Sequence, residues 1–369
     1  IERDLVTVLR RCLERSDSDG AAMIAVSLGP LWLRRGVRAH EAELMVRLAS
    51  SMDDRGSNPG PRALVTAWSA LLVAERVMDP SDVADVVVAR DEALALADHC
   101  DESTRLAVMG ICVQVARILD DRDSAVRLCE EGLSLARQQR DDHNLAQFEL
   151  WSGMLAHQEQ RIDDAIAMGE AAFGVARRLG DTSLIIRAAG LLATLPPDAG
   201  VSVALPAASE LVELAVELDD QRSLLWLRPA AAAEALSVGD RAAAAGHVVD
   251  QMVAARSMAA WHPSSISLLL LVQVAVAEGD DERAAWLHGV VAGHLDILRP
   301  GLPPHMVKSY NRAIESLRGR LSTDRFDTLA AQGSLLPIEE AHAEAATYAR
   351  SITKRLGAPV DDNANAEPP

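Results

Sequence analysis

Along residues 2–15, Leu5, Val8, Leu9, Cys12 and Leu13 recur at helical spacing with charged residues between them. The polar run Ser16-Asp17-Ser18-Asp19-Gly20 breaks that stripe. The same alternation predicts helices over about 21–35, with Pro30 as a kink and Gly36 as the stop, and over about 39–52. Residues 53–61 hold Gly56, Asn58-Pro59 and Gly60-Pro61 and read as a loop. Helices follow over about 62–78, opened by Pro61, and over about 82–99, opened by Ser81 or Asp82. Asp101-Glu102-Ser103-Thr104 opens another that ends near Leu119.

Beyond that point one helical phrase is written twice, about 40 residues apart. Asp120-Asp121-Arg122-Asp123-Ser124-Ala125 returns as Gln160-Arg161-Ile162-Asp163-Asp164-Ala165, and Leu133/Phe173, Ala136/Ala176, Arg137/Arg177 and Asp141/Asp181 keep the register. The same step reaches Gly200 with Leu205, Gly239-Asp240 with Ala245, and Gly279-Asp280 with Ala285. Each unit holds two helices, with Asp141 and Asp181 as N-caps and Gly180 as a left-handed stop, so the expected element is a stacked antiparallel helix pair. Leu195-Pro196-Pro197-Asp198-Ala199-Gly200 reads as a rigid turn inside the array, and Arg299-Pro300-Gly301-Leu302-Pro303-Pro304 as a stronger break. Helices at about 305–319, 322–332 and 337–355 read as a terminal cap. The expected divisions are N-terminal helices over 1–60, tandem repeats over 61–299, capping helices over 300–357 and a polar, disordered tail over 358–369.

Composition narrows what such an array does. Aromatics make up only 3% and hairpin dipeptides between alternating runs are missing, which leaves an all-α chain. The formal net charge is -18, and Lys308 and Lys354 are the lysines; an acidic chain without a basic stripe is poorly suited to nucleic acid. Cys12, Cys100, Cys112 and Cys129 fit neither a zinc knuckle nor a redox pair and read as apolar thiols in a reducing compartment. The most apolar run, residues 266–277, is about half a membrane span and no signal peptide opens the chain, so a cytoplasmic protein with no membrane partner is expected. Ile1 stands inside a helical pattern where a start would have Met, as expected of a piece of a longer protein.

No motif names a reaction. Lys308-Ser309 lacks the glycines of a phosphate loop and Lys354 is followed by Arg355. His288 and His294 are six apart, on different sides of a helix, and no Gly-x-Ser-x-Gly elbow occurs. Glu130-Glu131 and Glu339-Glu340 read as solvated faces or helix starts. Catalytic, cofactor-binding and metal sites are therefore expected to be absent, with no residue marked out for partner binding. Trp32, Trp68, Trp151, Trp226, Trp261 and Trp286 read as packing anchors, with Trp261-His262-Pro263 at a turn where a ring meets a partner.

The small pairs Ala125/Gly132, Ala165/Ala172 and Ala285/Ala292 give the repeat a tetratricopeptide character, while Met252 stands opposite Ala245. The resemblance implies a tetratricopeptide-like α-solenoid of antiparallel pairs, a right-handed superhelix in its longer-helix form. Trp32-Leu33-Arg34-Arg35-Gly36 followed by Glu41 and Glu43, after Asp4-Leu5…Val8-Leu9…Arg11, resembles the segment that follows the ATPase of multidomain bacterial signal-transduction regulators. Gln332-Gly333…Leu336-Pro337-Ile338-Glu339-Glu340-Ala341 is similar to their closing helix. These motifs imply the sensor or scaffold half of a LuxR-type, MalT-like or AfsR-like transcriptional regulator. Such a module is not itself an enzyme. It binds a protein, a peptide or its own upstream ATPase on the face built from the first helix of each pair. The other expectation is a free-standing scaffold or adaptor.

Overall fold

The computed structural model describes residues 2–52, 58–76, 80–196, 198–257, 261–293 and 304–357, and among these it is all-helical, with no strand. The chain divides into two compact units, residues 1–192 and 193–369. The division falls beside residues 195–200, which the sequence pattern reads as a turn inside the array.

The first unit holds α1 (Glu2–Glu14), α2 (Ser18–Arg35), α3 (Ala39–Ser51), α4 (Pro59–Ala74), α5 (Pro80–Ala97), α6 (Glu102–Ile118), α7 (Arg122–Gln139), α8 (Asp142–Gln158), α9 (Ile162–Leu179) and α10 (Thr182–Ala193). Helices α2, α4, α6 and α8 each pack on the next of that set and on the helices between them, so they form one layer. Leu191 and Leu192 of α10 lie against Gly153 of α8 and Gly169 of α9 and continue it. Trp32 and Phe148 are fully buried in the core, with Trp68 and Trp151 nearly so. The glycines there are notches: a β-carbon at Gly29 would overlap the Trp68 ring, at Gly110 the Trp151 ring and at Gly132 the Phe148 ring.

One connector shapes the helix ends. The backbone N–H of Asp121, Asp141, Arg161 and Asp181 donates to the carbonyl of Ala116, Ala136, Ala156 and Ala176, each five residues earlier. The residue just before the donor, Asp120, Arg140, Gln160 or Gly180, takes a left-handed φ of 55, 56, 60 or 67°. This closes the last turn and reverses the chain in two residues. The Asp side chain then accepts the N–H three residues on, at 3.2 Å for Ser124, 3.0 Å for Asn144 and 2.9 Å for Leu184. The accepting Ala116, Ala136, Ala156 and Ala176 are fully buried, and Asp17 makes the same bond to the Cys12 carbonyl after Ser16 at a φ of 58°. The second unit uses the same device at Asp220, Asp240 and Asp280, onto Ala215, Ala235 and Ala275.

That second unit holds α11 (Ala208–Glu217), α12 (Gln221–Ser237), α13 (Arg241–Ser257), α14 (Trp261–Glu278), α15 (Asp281–Gly293), α16 (Pro304–Arg318), α17 (Thr323–Ser334) and α18 (Ile338–Leu356). Helix α12 packs on α13 and α14, α14 on α15 and α16, α17 on α15, and α18 on α13. Its tightest crossing joins α15 to α17: a β-carbon at Gly289 would overlap the Ala330 carbonyl, and one at Gly333 the Trp286 carbonyl.

Several expectations change. The helix expected after Gly200 begins only at Ala208, because Pro206 disfavours helical backbone at Leu205. Asn58, not Pro61, opens α4, accepting the Gly60 N–H at 3.2 Å. Trp261-His262-Pro263 is the first turn of α14, not a turn between helices, since Pro is tolerated where no N–H donor is needed. Ala292 is exposed, so the small pair with Ala285 is not an interface; Gly289 and Gly293 supply the close approach. The expected loop at 53–57, the break at 299–303, His294 and the tail at 358–369 lie outside the described residues.

Candidate interaction face

The residues that carry the regulator resemblance have structural duties. Trp32 is fully buried, and Gly36 takes a φ of 98° where α2 ends. Arg35 donates to Glu2 at 2.8 Å and to Glu41 at 2.6 Å, while Glu41 accepts the Arg38 N–H at 2.9 Å. One half-buried guanidinium therefore fastens α1, α2 and α3. Glu43 is exposed. Gly333 is a helix crossing and Ala341 is buried, so the closing motif also serves packing.

Chemistry is thin elsewhere. Burial pushes the Cys112 thiol up to about 12 and the Cys129 thiol to about 11, which keeps both protonated and unreactive. Cys12 and Cys100 are half-buried free thiols. His288 meets the Tyr310 hydroxyl at 2.6 Å and lies 5.3 Å from the Phe326 ring; burial, then Arg318, lowers its pKa and holds it neutral. Among the described residues no three metal-binding side chains converge. No described helix is long and apolar enough to cross a membrane. Trp226 stands 44% exposed on α12, unlike Trp32, Trp68 and Trp151, and Trp286 stacks beneath the Arg283 guanidinium at 4.0 Å.

What remains is a surface on the layer of even-numbered helices in the first unit, which are the second helices of the pairs and not the first ones on which the sequence pattern placed a binding face. On α6, Ser103, Ala107, Gln114, Arg117 and Ile118 are not buried and fall in one sector of about 100° at 3.6 residues per turn. The matching sector of α8 carries His143, Gln147, Met154, His157 and Gln158, and that of α10 carries Ser183 and Arg187. With helices packed at roughly 8–10 Å, the three span on the order of 20 Å. No carboxylate stands in these sectors.

The odd-numbered helices differ. Asp123, Arg127, Glu130, Glu131 and Arg137 are exposed on α7, and Asp163, Asp164, Arg177 and Arg178 on α9. Nearest to the carboxylate-free face is Asp181, which accepts the Leu184 N–H at 2.9 Å and stands 3.2 Å from His143. Glu149 lies outside the sector, its carboxyl raised by burial against the pull of Arg137 and Arg178. Apolar stripes and the caps at Asp101, Asp141 and Asp181 located these helices in the sequence, but their shared sector became visible only once burial separated the two sides. No family model and no curated protein matches the chain.

Proposed function

We propose that this chain is a helical-repeat interaction module, of tetratricopeptide character with a period near 40 residues, and that it is the sensor or scaffold arm of a cytoplasmic bacterial transcriptional regulator. The observation that carries the interaction role is the carboxylate-free face of α6, α8 and α10 in a chain of net charge -18. A surface bearing only the charge and solubility demands of a helix would mix both signs, as α7 and α9 do. The regulator reading rests on the motifs around Trp32 and Gly333. In it the face binds a partner or the regulator's own ATPase, and occupancy shifts an equilibrium between restrained and active states.

Substitutions test the two levels separately. In the parent protein, Gln114→Glu with Met154→Glu should alter regulated output, while Arg127→Glu with Gln138→Glu on α7 should leave it near wild type, with circular dichroism unchanged in both. An effect from the α7 pair alone would overturn the face. Deletion of residues 61–299 with unchanged nucleotide turnover and transcription would overturn the regulator reading. A free-standing adaptor remains the second reading, favoured by the full structural employment of Arg35, Glu41 and Gly333.

A further inference from the structure

Gln251 on α13 is 0% exposed, and neither its amide oxygen nor its amide nitrogen has a hydrogen-bond partner. A primary amide brings two N–H donors and an acceptor oxygen, and an interior that leaves all of them unmet carries a heavy desolvation cost. Its surroundings add to the demand. Leu225 of α12 forms one core cluster with Ala254 and Ala255, and at 3.6 residues per turn Gln251 falls between those two alanines, on the side of α13 that meets α12. Arg228 pairs with Asp250 at 3.6 Å, so the turn of α12 beside Gln251 is the one that holds Arg228 and Pro229. Pro229 is buried and has no N–H, so the Leu225 carbonyl loses the donor that would close its helical bond. Helix α14 packs on both α12 and α13 and carries Ser267, also 0% exposed, whose hydroxyl has no partner. We propose that the junction of α12, α13 and α14 holds a small neutral molecule that both donates and accepts hydrogen bonds, seated on the Gln251 amide beside the break that Pro229 makes in α12. Such a guest can accept from the Gln251 Nε2 and donate to the Leu225 carbonyl, and so stands in for the missing rung of the helix. Charge does not select it. Arg228 is already paired, and His247, one turn before Gln251, is held neutral by burial and then by Arg228, so an ion would be left unmatched in this interior. Solvent water and a small organic amide share the required chemistry. The site has no residue in common with the face on α6, α8 and α10 and stands or falls without it.

The experiment compares the whole chain with Gln251→Met, which keeps the side-chain length and removes both polar atoms, and with Gln158→Met, the same exchange on an exposed residue of α8. Pro229→Ala is the second variant, since it returns an N–H to the Leu225 carbonyl and should weaken the guest's hold by another route. Oxygen-17 relaxation of water detects molecules held for long times in the interior. Gln251→Met and Pro229→Ala should each lose such a signal, and Gln158→Met should keep it. Acetamide, titrated against the same proteins and followed through the backbone amide signals of α12 and α13, tests the organic source. It should bind Gln251→Met about tenfold more weakly than wild type and drive out the held water. Loss of held water in the two variants with no response to acetamide assigns the site to solvent water; a response to acetamide that Gln251→Met abolishes assigns it to an organic amide. Held water that neither variant changes, together with equal acetamide response in wild type and Gln251→Met, overturns the proposal.

Discussion

Both units bring helices unusually close through glycine, yet they do it against different surfaces. In the first unit Gly29, Gly110 and Gly132 receive aromatic rings from Trp68, Trp151 and Phe148. In the second, Gly289 and Gly333 lie against the carbonyls of Ala330 and Trp286, so backbone meets backbone. A ring can rotate or be replaced; a carbonyl moves only with its helix. The first unit should therefore tolerate repacking where the second does not.

The hardest test of that contrast is Gly333→Ala. The added methyl must push α17 from α15, at a cost of about 3 kcal/mol, seen as faster amide exchange in α15 and α17. A loss under about 1 kcal/mol would mean the crossing yields as easily as a ring. Gly132→Ala should cost about 2 kcal/mol and be largely rescued by Phe148→Leu, with a coupling of about 1 kcal/mol or more in a double-mutant cycle. An additive cycle would break the notch argument.

A smaller effect separates the units electrostatically. In the first unit Asp121 caps α7 and accepts from Arg90 at 2.6 Å, Arg90 being only 5% exposed. Burial pushes the Asp121 carboxyl up, but hydrogen bonds from Arg90 and Ser124 outweigh this and hold it below its ordinary value. A depressed native pKa adds stability above the unfolded value, about pH 4, and that stability is lost as pH falls through the native value. Asp121→Asn keeps a capping oxygen but removes the charge facing Arg90, and should cost about 1 kcal/mol at neutral pH. The gap from wild type should narrow as the medium is acidified below about pH 4. Exchange in α12 to α15 should not change; if it does, the units are not energetically separate.

Much of the helical frame was legible because its signals are local. Apolar stripes, Asp101, Asp141 and Asp181 as caps, and Gly180 as a stop each act within a turn or two of their own position. The two-residue connector was only half read. Asp120, Arg140 and Gln160 adopt a left-handed conformation that composition favours for glycine, and the tell-tale Ala five residues before each following donor looks like any other alanine. Pro206 delaying α11 is a local signal that the expected register passed over, whereas Ala292 facing solvent depends on what packs against α15. The face on α6, α8 and α10 was harder still. Arg117 and Arg187 are two among many arginines until burial shows which side of each helix they occupy.

The finest probe uses the fact that all four cysteines belong to the first unit. Cys100→Ser keeps a hydroxyl where the thiol bonds the Leu96 carbonyl at 3.3 Å, and should change stability by less than about 0.5 kcal/mol. In that background a maleimide, followed site by site by mass spectrometry, should label Cys12 in the folded protein and leave Cys112 and Cys129 unmodified. Burial both hides those two thiols and keeps them protonated, so each label they acquire counts an opening of the first unit. Gly132→Ala should raise their labelling and Gly333→Ala should not. If Gly333→Ala raises it equally, ring notches and backbone crossings belong to one cooperative structure, and the contrast between the units is one of packing style alone.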